Sequence, residues 1–267
     1  PMFILLPGPP AELKPMVEHS VMPLLEDLAD EDISHLRVFR LVGIGESDLQ
    51  ELVDDSLHQV EGLEVAYCAR VGEVDVRLVG SEVALKQGEA RLRILAGAYV
   101  LAPVGASLEK AVVCHLAQQG LKAATAESCT GGLIAKRLTD IPGAAQTFLG
   151  GVVSYTNTVK QHVLGVPASL LETYGAVSAP VARAMAMGVR VLTGSDLALS
   201  VTGLAGPAGD DHGNPVGTVF TALSTPQGVF VRQLALGGDR ERIRTLSAHH
   251  ALDLLRRYLT DQMTGGE

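Results

Sequence analysis

Residues 126–132 read Ala126-Glu127-Ser128-Cys129-Thr130-Gly131-Gly132, between an apolar run at 121–125 and a helix-like stretch at 133–138. The run suits a buried strand and the stretch a helix, so the seven residues form a strand-to-helix turn. Such a turn puts Ser128, Cys129 and Thr130 near a helix N-terminus, where unpaired N–H groups and the dipole favour a phosphate or a developing oxyanion. Gly131 and Gly132 let a ligand approach the backbone closely. An ordinary capped helix starts with the same residue types, so the surrounding chain has to decide between the two.

Working outward, Ser107 caps a helix reaching Gln119, and the turn is followed by a strand at 151–155 and helices around Lys160 and Val181. Strands at 197–201, 216–223 and 229–236 and a final helix at 240–259 complete a three-layer α/β domain. Upstream, a strand at 36–42, a helix from 48 to 60 capped by Ser47, a hairpin at 65–71 and 74–79 across Gly72 and Glu73, and a helix at 81–97 make a small α+β unit. Pro103, Gly105 and Ala106 form the linker. The opening Pro-Met-Phe-Ile-Leu-Leu-Pro-Gly-Pro-Pro reads as an apolar strand ending in a proline-rich turn, then helical sequence at 11–28 containing Pro15 and Pro23. A strand needs sheet neighbours and none precede it, so Pro1 reads as a cut in a longer chain.

Charge separates the two parts. Residues 1–104 carry 8 basic against 18 acidic side chains, a net of −10, and residues 105–267 carry 13 against 12, a net of +1. An acidic first part repels a polyphosphate backbone, which argues against nucleic acid as a partner. No apolar run approaches the roughly 20 residues that cross a bilayer, so no membrane partner is expected and the cytoplasm is the default location. Cys68, Cys114 and Cys129 lack metal-knuckle spacing and read as free thiols.

Chemistry is expected where strands of the second domain end. Ser-Tyr-Thr-Asn-Thr-Val-Lys at 154–160 offers Tyr155, Asn157 and Lys160, and a lysine whose pKa is lowered by burial can activate Ser128 as a general base. The glycine-rich loop at 200–218 offers Thr202 and Gly203 to a phosphate or carbonyl oxygen; its Asp210, Asp211 and His212 read as a turn, not a metal site. Arg240, Arg242 and Arg244 start the last helix, and at least one can reach an anion. Cys129 rivals Ser128 as nucleophile, and residue chemistry alone leaves the two open. His115 and His162 carry no mark of a catalytic histidine.

Taken together, Ala-Glu-Ser-Cys-Thr-Gly-Gly, Gly-Gly-Val-Val-Ser-Tyr-Thr-Asn, Tyr-Gly-Ala-Val-Ser, Ser-Val-Thr-Gly-Leu-Ala-Gly-Pro and Pro-Val-Gly-Thr-Val resemble the C-terminal domain of the CinA (competence/damage-inducible) family over 105–267. Residues 36–103 resemble that family's KH-like middle region, and residues 1–35 the end of its molybdopterin-binding-like domain with a connecting helix. The resemblance implies a three-layer α/β/α domain with a mixed, anticodon-binding-like sheet, preceded by a small α+β KH-like domain. It implies hydrolysis of the carboxamide of nicotinamide mononucleotide, a small pyridine nucleotide, to nicotinate mononucleotide and ammonia, with no metal or organic cofactor and commonly as a homodimer. Residue by residue, it puts the nucleophile on Ser128, the base on Lys160 and a neighbouring tyrosine on Tyr155. Thr130, Gly131, Gly132, Asn157, Thr202, Gly203 and either Arg240 or Arg242 fall to substrate binding. The KH-like region has no Gly-x-x-Gly, the element that clamps nucleotides. A reading from another class remains: an inactive scaffold of the competence or DNA-damage response, its acidic first domain docking a basic protein.

Overall fold

The computed structural model describes residues 2–28, 35–102 and 105–262. Pro1, the linker residue Pro103 and residues 263–267 of the second domain lie outside them. The first elements are α1 (Pro10–Met16), a π-helical turn at Val17–Val21 and α2 (Met22–Leu28). Pro15 and Pro23 each remove one donor from an otherwise helical run, and the run continues through them with the wider turn between. The strand expected at the start does not form: residues 2–7 are irregular, and neither sheet includes them. An extended segment without a paired edge has no ladder to join.

The small unit comprises β1 (His35–Val42), α3 (Glu46–Leu57), β2 (Leu63–Arg70), β3 (Glu73–Gly80) and α4 (Glu82–Ala96). Its strands run antiparallel in the order β1-β3-β2. Alternation sends Phe39, Leu41, Val74, Val76 and Leu78 to one face, where Leu49, Val53, Leu85 and Leu92 of the two helices close the core. Ser81 caps α4, whereas Gly45 precedes α3 and Ser47 lies inside its first turn, so Ser47 caps nothing.

The second domain runs α5 (Leu108–Gln119), β4 (Ala123–Glu127), α6 (Leu133–Thr139), β5 (Phe148–Val153), α7 (Asn157–His162), α8 (Ala168–Tyr174), α9 (Ala179–Thr193), β6 (Leu197–Gly203), β7 (Thr218–Thr225), β8 (Gly228–Ala235) and α10 (Arg240–Leu259). Ser107 Oγ accepts from Lys110 N and Gly120 turns left-handed at φ 66°, a capped start and stop for α5. Strand order is β5-β4-β6-β7-β8, parallel for the first three and antiparallel for the rest. The sheet is therefore mixed. Helices α5, α6 and α10 cover one face through Leu108, Ile134 and Leu252 against Leu199, Val201 and Leu223. On the other face α9 packs Val181, Met185 and Val189 against Ala124, Ala126 and Ala198. Chain leaves central β4 for β5 on one side and returns to β6 on the other, so the carboxyl end of β4 is a switch point, where open α/β sheets bind ligands.

The two units meet on α10. Asp253, 1% exposed, accepts from Arg256 Nε and from Arg257 Nε, both at 2.8 Å. Arg256 Nη2 also donates to the carbonyl of Ala98, and the Arg257 guanidinium lies over the Tyr99 ring. At the β2–β3 turn Gly72 (φ 83°) touches the His249 ring so closely that a Cβ there would sit 2.9 Å from it. A side chain at that position would both strain the backbone and push the units apart. Removing the carboxylate would take from two guanidinium groups at a buried joint the negative charge they share. Asp253→Ala is expected to lower stability by about 3 to 5 kcal/mol, read as an earlier transition in chemical denaturation, whereas Asp211→Ala on the exposed loop leaves it unchanged within about 0.5 kcal/mol.

Candidate active site

Two backbone bonds extend the ladder past the end of β4. Ser128 N donates to Val201 O at 2.9 Å and Ser154 N to Glu127 O at 2.7 Å, which sets Ser128 and Ser154 side by side beyond the parallel strands. Side chains alternate along β4: Ala124 and Ala126 face α9, Glu127 faces α6, and Ser128 falls on the α9 side. Directly after Ser154, Thr156 caps α7, and the short helix folds back so that Lys160 is its buried residue. Lys160 Nζ then donates to Ser154 O at 2.8 Å and to Ser128 Oγ at 3.1 Å. Lys160 is 2% exposed with no carboxylate against it among the described residues, and burial pushes its amine down to about 8, with an opposing pull from Cys129.

Cys129, next along the turn, points into the core with Ile134 and Ile243. Burial pushes its thiol up to about 11, against weaker lowering from its own amide and the Ser247 hydroxyl. It is a protonated core thiol at neutral pH, which decides between the two neighbours in favour of the Ser128 hydroxyl as the group placed for chemistry.

The turn differs from its sequence reading in one respect. The N-terminus of α6 is already occupied: Glu127, 1% exposed, accepts from Gly132 N at 3.0 Å, Ile134 N at 3.0 Å and Ala135 N at 2.8 Å. Gly131 N donates to Ser128 O at 3.1 Å. The amides of Gly131 and Gly132 are therefore spent inside the protein and hold no substrate anion. Both glycines keep a shaping role, with φ 62° and 94°, and a Cβ on Gly131 would press on Arg244. Among the described residues, the Thr130 amide of the turn has no acceptor, and the Cys129 amide meets only its own thiol. Glu127 stands in the quoted motif, and an acid one strand-end before a helix start is the signal that could have marked it.

A cavity of about 200 Å³ opens beside Ser128, lined by Cys129, Tyr155, Asn157, Lys160, Ala176, Val177, Thr202, Gly203, Ala205 and Arg240. Pockets for drug-sized ligands start near 300 Å³, so this one suits a single ring with a small substituent. Thr202 lines it, but its hydroxyl donates to Ala176 O at 2.7 Å and so braces the wall. Gly203 ends β6, with Val219 too close for any side chain. Arg240 crosses the mouth, donating to Tyr155 Oη at 2.9 Å and Gly206 O at 2.7 Å. Arg242 is not part of the lining; its amide is taken by the Asp239 cap and its chain packs under Gly238. Asp210 ties its own loop, accepting from His212 N, Asn214 N and Asn214 Nδ2, as a turn does.

The family model described as the CinA C-terminal domain matches residues 105–259, and that of the damage-inducible protein CinA KH domain matches residues 36–98. The chain belongs to the CinA family. A CinA-like protein of Akkermansia muciniphila is 72% identical over 253 residues, covering 94% of this chain and 61% of that protein. A putative competence-damage inducible protein of Caldanaerobacter subterraneus is 45% identical, covering 97% and 64%. The chain thus spans a little under two thirds of these CinA relatives. Among solved structures, the competence/damage inducible protein CihA from Agrobacterium tumefaciens is similar, at 39% identity and TM-score 0.55 over 57% of this chain and 93% of that one. A CinA superfamily protein from Escherichia coli gives 34% identity and TM-score 0.55 over 56% and 87%. No helix among the described residues is long and apolar enough to cross a membrane.

The different settings of the three thiols can be measured. Cys68 and Cys114 are half-buried and Cys129 is buried; a thiol reagent at pH 7.5 is expected to titrate Cys68 and Cys114 in the folded protein and Cys129 only on unfolding.

Proposed function

We propose that this CinA-family chain hydrolyses the carboxamide of nicotinamide mononucleotide to nicotinate mononucleotide and ammonia, with Ser128 as nucleophile and Lys160 as general base. The observation that carries this reading is the buried Lys160 amine 3.1 Å from Ser128 Oγ. A hydroxyl is a weak nucleophile at its resting pKa, and a neutral amine in hydrogen-bond reach is the group that can take its proton. With one N–H held by Ser154 O, the lone pair of neutral Lys160 is left for Ser128.

In the proposed course, Ser128 Oγ attacks the amide carbon as Lys160 takes its proton, giving a tetrahedral oxyanion. The Cys129 and Thr130 amides are the turn's remaining donors for it, an effect worth about 3 kcal/mol per donor. Lys160, now protonated, passes its proton to the departing nitrogen, and ammonia leaves. Water, deprotonated in turn by Lys160, attacks the acyl ester; the bond to Ser128 Oγ breaks as Lys160 returns that proton to it, and the acid product leaves, ionising to the carboxylate. Asn157 lines the cavity and offers both a donor and an acceptor to a carboxamide, while Arg240 and Tyr155 at the mouth suit the ribose phosphate side. Thr202 and Gly203 support the walls, and the fully buried Thr130, with Gly131 and Gly132, the turn. Every atom transferred is accounted for by these side chains and water.

The reading extends to assembly and place. A homodimer is supported by an apolar groove of about 900 Å³ on α9, where Met187, Val191 and Leu192 stand exposed. Residues 1–35, 36–103 and 105–267 are proposed as the tail of a preceding domain, the KH-like domain and the amidohydrolase domain, working in the cytoplasm on a small molecule.

Two results test the chemistry. Ser128→Ala and Lys160→Met are each expected to abolish ammonia release from nicotinamide mononucleotide, while Cys129→Ala keeps most of it; loss in Cys129→Ala with retention in Ser128→Ala would reassign the nucleophile. Because the base must be neutral and its pKa is lowered to about 8, kcat should rise with pH through about 8 and level above it, falling about tenfold per unit on the acid side.

A further inference from the structure

The peptide groups of the Ser128 turn are held from below by one side chain. Arg244 Nε donates to Cys129 O at 3.1 Å and its Nη2 to Thr130 O at 2.9 Å, across 115 and 114 residues of sequence. No carboxylate pairs with this guanidinium among the described residues; its partly buried charge is spent wholly on two carbonyl oxygens. With the Glu127 carboxylate on the amides of 132, 134 and 135, the turn is clamped between an anion on its N–H groups and a cation on its carbonyls. A peptide group is planar and trans, so its carbonyl and the following N–H point oppositely. Arg244, by holding Cys129 O, turns the Thr130 N–H away from itself, and that N–H has no acceptor among the described residues.

The helix that carries Arg244 is itself fixed at both ends. Arg240, Arg244 and Ser247, spaced four and three apart, share one face of α10 and reach Tyr155, the turn carbonyls and the Cys129 thiol in succession. Farther along, His249 lies under Gly72 of the KH-like domain, and Asp253, Arg256 and Arg257 form its anchor.

We infer that Arg244 is a positioning residue: its two bonds to the Cys129 and Thr130 carbonyls, on a helix braced by the KH-like domain, set Ser128 Oγ in reach of Lys160. It touches neither the nucleophile nor the base, and it acts through the backbone between them. The inference rests on the amide-hydrolysis reading for its kinetic arm only. A misplacement of about 1 Å at the reacting atoms costs about 100-fold in rate, so Arg244→Gln should lower kcat by about that factor with KM within about twofold. Arg244→Lys, whose ammonium can still reach one carbonyl, should recover at least about tenfold of the loss.

The experiment runs both variants in the full chain, checked for native circular dichroism, on nicotinamide mononucleotide. In parallel, a fluorophosphonate probe labels Ser128 independently of the substrate, read by intact mass. Slower labelling in Arg244→Gln by about tenfold or more, partly restored in Arg244→Lys, supports the inference, even if the wild-type chain releases no ammonia; in that case the substrate reading alone fails. Equal labelling rates in wild type and Arg244→Gln, or a kcat within twofold of wild type, overturn it. A lowered melting temperature with unchanged labelling per folded molecule also overturns it, since a merely structural arginine would give that result.

Discussion

A primary amine kept from water between a carbonyl and a hydroxyl is the constraint on which this molecule turns. Desolvation of Lys160 costs the charged form more than the neutral one, and the two acceptors Ser154 O and Ser128 Oγ hold the amine in one place while that cost lowers its pKa. The same contact explains why Ser128 and not Cys129 is the residue bonded to the amine: the turn presents one side chain to Lys160 and buries the next.

The fold supplies that contact through short, local geometry. Parallel pairing of β4 with β5 and β6 carries on for one residue past Glu127, so Ser128 and Ser154 arrive together. The six-residue helix after Ser154 is long enough only to fold back on that edge, and it returns Lys160 to the residue from which it left. Small residues make the edge approachable: Ala123, Ala124 and Ala126 let layers pack on both faces of β4, and Gly151 sits against Thr125 where any side chain would collide. The Glu127 carboxylate then satisfies the start of α6 at no cost in open N–H groups, so the helix dipole is used to hold the turn and not the ligand.

Much of this could be seen in the chain before its shape. The strand-to-helix turn, the cap at Ser107 and the final helix at 240–259 are local signals, written in residues a few positions apart. The motifs that resemble the CinA family pointed to the mixed sheet, which the strand pairing bears out. What escaped depends on distance. Ser47 has the right chemistry for a cap, yet the chain enters α3 at Gly45. The apolar opening residues have a strand's composition but no edge to pair with. α8 is a seven-residue helix with only Leu171 buried, too little for a periodic signal. The occupation of the α6 N-terminus by Glu127 and the grip of Arg244 on the turn come from pairings that no short window of sequence contains. Arg242, next to both useful arginines, is set apart only by the face of α10 it occupies.

The most direct measurement is the ionisation of the Lys160 side chain itself, followed by nuclear magnetic resonance of protein carrying 13C at lysine Cε, with Lys160→Arg to assign the signal. The account predicts one lysine titrating with a midpoint near 8, its signal shifted again in Ser128→Ala. A Lys160 that stays charged to pH 10 or above, as an exposed lysine does, would contradict it.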